Sequence, residues 1–159
     1  MKKSCNIGSP DFISQVETIE ASDCGPCANH RKNRPCRLIL KDGRVVPRAI
    51  CVEEHRGFEG KWWIHPNAVE RIEPSKERLP APLATKLYAA GESGMGYMVF
   101  KIRFKDGTTC VFLTGGNVDF PDLPEGYSAD DVDDVFPHEG RCERMRRGRS
   151  FELCFYVKG

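Results

Sequence analysis

The thirteen residues Cys24-Gly25-Pro26-Cys27-Ala28-Asn29-His30-Arg31-Lys32-Asn33-Arg34-Pro35-Cys36 constrain this chain more than any other stretch. They carry three thiols and an imidazole, and from Ser22 to Cys36 the only apolar residues are alanine, proline and cysteine. Ordering the backbone costs about 1–2 kcal/mol per residue, and this segment has no large apolar side chain to bury in return. A structural zinc ion contributes roughly 10–16 kcal/mol in peptides, so a bound ion is the device the sequence predicts. A tetrahedral site takes four Cys or His ligands, one pair usually spaced Cys-x2–4-Cys. Cys24 and Cys27 supply that pair, and Cys36 is the candidate third ligand. The fourth is either Cys5 or His30, between which spacing does not choose.

The same four residues, Cys24-Gly25-Pro26-Cys27, have the spacing and content of a thioredoxin active site, so a thiol–disulfide redox protein is the alternative reading. That chemistry needs a buried strand before the motif and a long helix after it, whose N-terminus lowers the first thiol's pKa. Here Glu20-Ala21-Ser22-Asp23 precedes the motif and a polar, cationic run ending at Pro35 follows. The acid at Asp23 favours the protonated thiol.

Composition narrows the rest. The 159 residues fit one generous domain or two small ones. A formal net charge of +1 creates no global field toward nucleic acid or an anionic membrane, and the apolar runs are far shorter than the ~20 residues that span a bilayer. Ser4 to Pro10 is no apolar signal core, which predicts a cytoplasmic protein. Cytosolic thiols stay reduced, and Cys51, Cys110 and Cys154 lie in strand-like runs where a thiol behaves as a small hydrophobe.

In chain order, Ser9-Pro10-Asp11 reads as a capped helix start, with Phe12, Ile13, Val16 and Ile19 at helical spacing. Arg37–Lys41 and Arg44–Glu53 alternate as strands around Asp42-Gly43, predicting a two-residue type I′ hairpin, and Pro47 marks an edge or a bulge. Lys61–His65 is a further strand, and Ala68–Ile72 is a short strand or one helical turn. This layout is similar to a small, bent SH3-like barrel. Residues 74–96 form a Pro/Gly-rich linker that contains a brief helix from Leu83 to Ala90. Its Gly91–Gly96 stretch lacks the Lys-Ser/Thr ending of a phosphate loop and reads as a turn. A second β unit follows over 97–159. There Phe100, Ile102 and Phe104 face inward, a second Asp-Gly turn sits at 106–107, and a short helix is predicted near 128–135 behind the capping residue Ser128. Phe151, Leu153, Phe155 and Val157 close the chain as a strand with one apolar face.

The predicted class is therefore mainly β with minor α. A Cys-rich segment (1–36) carries a candidate zinc knuckle, and a small bent β unit spans 37–73. The linker spans 74–96, and the second β unit spans 97–159 and either stands apart or packs with the first. Seven cations between Arg31 and Arg48 face a single acid, and Arg141, Arg144, Arg146, Arg147 and Arg149 form a second basic cluster. Between them Asp119 to Glu139 holds eight carboxylates and no Lys or Arg. The expected function is a non-enzymatic binding module stapled by zinc. Its contact surface comprises Arg31, Lys32 and Arg34 with Trp62, Trp63 and Phe58 for stacking, and its partner is a protein or a nucleic acid.

Overall fold

The computed structural model describes residues 7–54 and 63–158. In chain order its elements are α1 (Pro10–Val16), β1 (Ser22–Asp23), a 3-10 turn (Pro26–Ala28), β2 (Lys32–Leu40) and β3 (Val45–Glu53). A second 3-10 turn (Pro66–Ala68) leads into β4 (Val69–Glu73), followed by α2 (Ala81–Ala89), β5 (Met98–Phe104) and β6 (Thr109–Thr114). A third 3-10 turn (Ala129–Asp131) precedes β7 (Val132–Pro137), and β8 (Glu152–Tyr156) ends the series. The protein is mainly β with two helices, as the residue pattern predicts. Its strands form open sheets, with no closed barrel among the described residues. No helix among them is long and apolar enough to cross a membrane.

The chain divides into two compact units of interleaved sequence: 1–21, 32–75 and 151–159 in the first, 22–31 and 76–150 in the second. In the first unit β2 pairs antiparallel with β3 and with β4, and β3 pairs parallel with β8. Helix α1 starts where expected: the Ser9 hydroxyl accepts from the Phe12 N–H at 3.1 Å, and Phe12 and Val16 are buried. They join Leu38, Leu40, Ile72 and Tyr156 in one apolar cluster. The β2–β3 register slips between Cys36↔Ala49 and Leu38↔Val46, which leaves Pro47 at a bulge where its missing N–H costs no ladder bond.

The hairpin turn itself departs from the type I′ expectation. The Gly43 N–H reaches Leu40 O at 3.0 Å and the Leu40 N–H reaches Arg44 O at 2.9 Å. Only Gly43 (φ +91°) is left-handed, which makes a three-residue loop, a tight turn followed by a glycine bulge. Asp42 serves the turn through its side chain, accepting the Arg44 N–H at 2.9 Å. The second hairpin repeats each contact: Gly107 to Phe104, Phe104 to Thr108, and the Asp106 carboxylate accepting from Thr108. Asp-Gly thus specifies the same turn twice through local chemistry.

In the second unit β5 is central, flanked by β6 and β7, both antiparallel. Phe100, Ile102 and Phe104 alternate inward as expected and cluster with Phe112 and with Ala84, Leu87 and Tyr88 of α2. The helix predicted near 128–135 is not formed. The Ser128–Asp131 capping box closes a single 3-10 turn, after which Val132 and Val135 pair with Phe104 and Ile102 as β7. β-branched residues beside a strand with an unpaired edge gain more from the ladder than from a second helical turn. The final strand also differs from its single-face expectation: Cys154, Phe155 and Tyr156 are all buried in succession, because β8 lies against β3 with both faces covered.

Candidate functional site

The cysteine segment divides between the two units. Residues 22–31 form a tight knuckle in the second. The Cys24 N–H donates to Arg31 O at 2.8 Å, closing the loop, and the His30 and Ala28 N–H groups both return to Gly25 O. Gly25 (φ +81°), Asn29 (φ +54°) and His30 (φ +52°) turn the chain left-handed. Gly25 is also pressed against α2, where an added Cβ would meet Tyr88 O at 2.9 Å. The Asp23 carboxylate accepts from the Gly25 N–H at 2.8 Å and faces His30 Nδ1 at 3.1 and 3.3 Å. The ten residues 22–31 need less outside help than their composition suggests, since the loop supplies many of its own bonds.

A buried carboxylate anchors this knuckle. Asp119, fully enclosed, accepts from the Ser22 hydroxyl at 2.7 Å, the Tyr88 hydroxyl at 2.7 Å and Asn117 Nδ2 at 3.2 Å. Arg78 donates to the Ser22 hydroxyl at 2.9 Å, and the Tyr88 oxygen accepts the Val118 N–H at 3.1 Å. Burial, then the charge of Asp119, holds the Tyr88 hydroxyl well above its ordinary pKa. Cys24 lies half-buried against the same core. Burial pushes its thiol pKa up and Asp119 adds to that, with the Arg31 guanidinium opposing. Residue-type reasoning missed Asp119 because it stands among seven other carboxylates in an acidic stretch. The one available signal was its position between Val118 and Phe120, an acid flanked on both sides by apolar residues.

Cys36 belongs to the first unit. It is fully buried on β2, with its Sγ 3.7 Å from Cys51 Sγ on β3, and Cys154 on β8 is in register with Cys51. Contact with Cys154, then burial, raises the Cys51 pKa well above the ordinary value, Cys36 opposing. These thiols fill an apolar core. Cys5 and Trp62, with Phe58, lie outside the described residues, as does the side chain of Cys27, whose backbone sits in the Pro26–Ala28 turn. Among the described residues no three His, Cys, Asp or Glu side chains converge as a metal-holding group.

The expected contact surface is dispersed. Arg31 and Lys32 are exposed. Arg34 is half-buried, donates to the Ile19 carbonyl and bonds Tyr156, so it braces the first unit from within. Trp63 packs edge-to-face on Phe155 with centroids 4.6 Å apart. Much of the acidic stretch is matched internally: Asp133 with Arg103, Asp134 with Lys86, Glu139 with Lys101 and Asp122 with Arg146. The second basic cluster is laced to the rim of the sheet, Arg146 exchanging backbone bonds with Val111 and Leu113. Comparison with family models, with curated proteins and with solved structures finds no match for this chain.

Proposed function

We propose that this chain is a non-enzymatic interaction module whose knuckle is a structural zinc site, with Cys24, Cys27 and His30 as ligands and Cys5 the remaining candidate for the fourth. The observation that carries this reading is the Asp23–His30 pair. Zinc-binding histidines usually give their second ring nitrogen to a carboxylate, which orients the ring. With Nδ1 facing Asp23, Nε2 is the nitrogen left for an ion, in the loop that also bears both cysteines of the Cys-x2-Cys pair. The burial of Cys36 beside Cys51 supports leaving it out of the ligand set.

The raised Cys24 pKa and the three-residue turn after it weigh against the thiol–disulfide alternative, which needs a thiolate at a long helix N-terminus. Elemental analysis tests the proposal. One zinc per chain is expected, retained in Cys36→Ala and lost in Cys24→Ser, Cys27→Ser and His30→Ala. Metal-free protein with an unchanged circular dichroism spectrum overturns the zinc site. Alkylation of metal-free protein across pH tests the alternative, which gains if Cys24 reacts well below pH 8. Titration with duplex and single-stranded DNA at low salt decides whether the partner is a nucleic acid.

A further inference from the structure

In the second unit a serine and a histidine link the end of α2 to the end of β7. Past Ala90, the residue capping α2, the chain turns through left-handed Gly91 (φ +76°) and returns toward β5 across the Gly94–Tyr97 bridge. Ser93 lies in that turn. His138 follows Pro137, the last residue of β7, and its N–H donates to Val99 O at 2.7 Å. The two side chains meet with Ser93 Oγ 2.7 Å from His138 Nδ1. Ser93 is half-buried and His138 exposed, so the pair is open to solvent on the histidine side.

The hydrogen-bond partners fix the part of each atom. A carbonyl oxygen only accepts, so His138 Nε2, 3.1 Å from Ala90 O, carries the ring proton and Nδ1 is bare. The Ser93 hydroxyl therefore donates to Nδ1, since its competing acceptor, Val99 O, is farther at 3.3 Å. Of the two lone pairs on Ser93 Oγ, one takes the Val99 N–H at 2.7 Å, which holds the rotamer. The other is left for an electrophile. A hydroxyl bonded to a bare imidazole nitrogen, with the ring oriented by a third group, is the arrangement that makes serine nucleophilic. The ring is presented by left-handed backbone at His138 (φ +63°), a strain of about 1–3 kcal/mol that gathers at working sites.

We propose that Ser93 is a modification site: with His138 as its base, it takes the acyl group of an activated ester. The pair brings a nucleophile and a base but no charge for the developing oxyanion. The donor must therefore carry a good leaving group, as aryl esters and thioesters do and amides do not. Ser93 Oγ bonds to the acyl carbon while its proton passes to His138 Nδ1. The bond from that carbon to the leaving oxygen or sulfur breaks, and the proton follows the phenolate or thiolate. One acyl group per chain needs no turnover, so the inference goes beyond the module reading without resting on its zinc site.

The full chain is incubated with p-nitrophenyl acetate, and acetylation is followed residue by residue by peptide mass spectrometry. The comparison is exposed Ser128, whose hydroxyl faces the Asp131 carboxylate. Ser93 should be acetylated at least about 100-fold faster, the low end of what a positioned base contributes. His138→Asn keeps a side-chain acceptor for the serine and a residue type that tolerates left-handed backbone, but removes the base. It should slow Ser93 by about the same factor while acetylation of exposed lysines is unchanged. Ser93 reacting no faster than Ser128 in the unaltered chain would overturn the proposal, whether or not the variant folds. An unchanged Ser93 rate in His138→Asn would overturn it too, and would reduce the Ser93–His138 contact to a clamp between turn and strand.

Discussion

Three buried thiols of the first unit and the half-buried thiol of Cys24 in the knuckle live under opposite regimes. Cys36, Cys51 and Cys154 stand on three adjoining strands, each wholly enclosed, and act as small apolar side chains. Cys24 instead borders a polar node, where a buried carboxylate organises hydroxyls from Ser22 and Tyr88. A thiol is therefore indifferent to its role; its neighbours decide whether it fills space or belongs to a site. The most severe way to break the contrast is at Asp119. Replacing it by Ala strands two buried hydroxyl donors, those of Ser22 and Tyr88, and should destabilise the protein by about 3–5 kcal/mol, against the smaller cost of any single thiol in metal-free protein. Urea unfolding with Asp119→Ala and Asp119→Asn measures this. A loss under 1 kcal/mol would mean that the node does not hold the knuckle.

The first unit should show its own signature in alkali. Burial pushes the Tyr156 hydroxyl up to about 12 from 10.0, with the Arg34 guanidinium opposing. A raised folded-state pKa means that the contribution is fully present below pH 10 and is lost as pH rises through 12. That difference between folded and unfolded chain corresponds to roughly 2–3 kcal/mol. Stability followed from pH 9 to 12 should fall by more than that amount, since Tyr88 and Cys51 are raised as well, and Tyr156→Phe should make the decline shallower by its own share. The thiols come next in size. Cys36→Ser, which places a hydroxyl in an apolar core, should cost about 1–3 kcal/mol. In metal-free protein Cys24→Ser, beside Arg31 and partly solvated, should cost under about 1 kcal/mol. Equal costs would erase the distinction between the two sets.

Much of this was legible in the residues. The alternation of Phe100, Ile102 and Phe104 against Lys101 and Arg103 fixes which face of β5 is buried, and Ser9-Pro10 fixes the start of α1. Cys51, Cys110 and Cys154 were readable as strand thiols because their neighbours are apolar. Cys36 was not, because its partners lie far along the chain: β3 brings Cys51 and β8 completes the layer. The same non-locality hid the interleaving of the two units and the role of Asp119, whose hydrogen-bond partners are 97 and 31 residues away in sequence. Local chemistry survives folding and can be read directly, whereas a buried polar node exists only after distant segments meet.

The smallest expected effect probes what the two units share. Gly43 and Gly107 have φ of +91° and +88°, and a Cβ added at either would meet nothing within 4 Å. Substitution by Ala therefore introduces no clash, only the cost of holding an L-residue in left-handed backbone, about 1–2 kcal/mol. Each turn is braced by the same Asp side chain accepting an N–H two residues on. Gly43→Ala and Gly107→Ala should thus destabilise the protein equally, within about 0.5 kcal/mol of each other, despite the different cores beneath them. Denaturant midpoints at constant slope provide the comparison. A clear inequality would show that the cores reach into the turns, and that local backbone chemistry is not what makes the two hairpins alike.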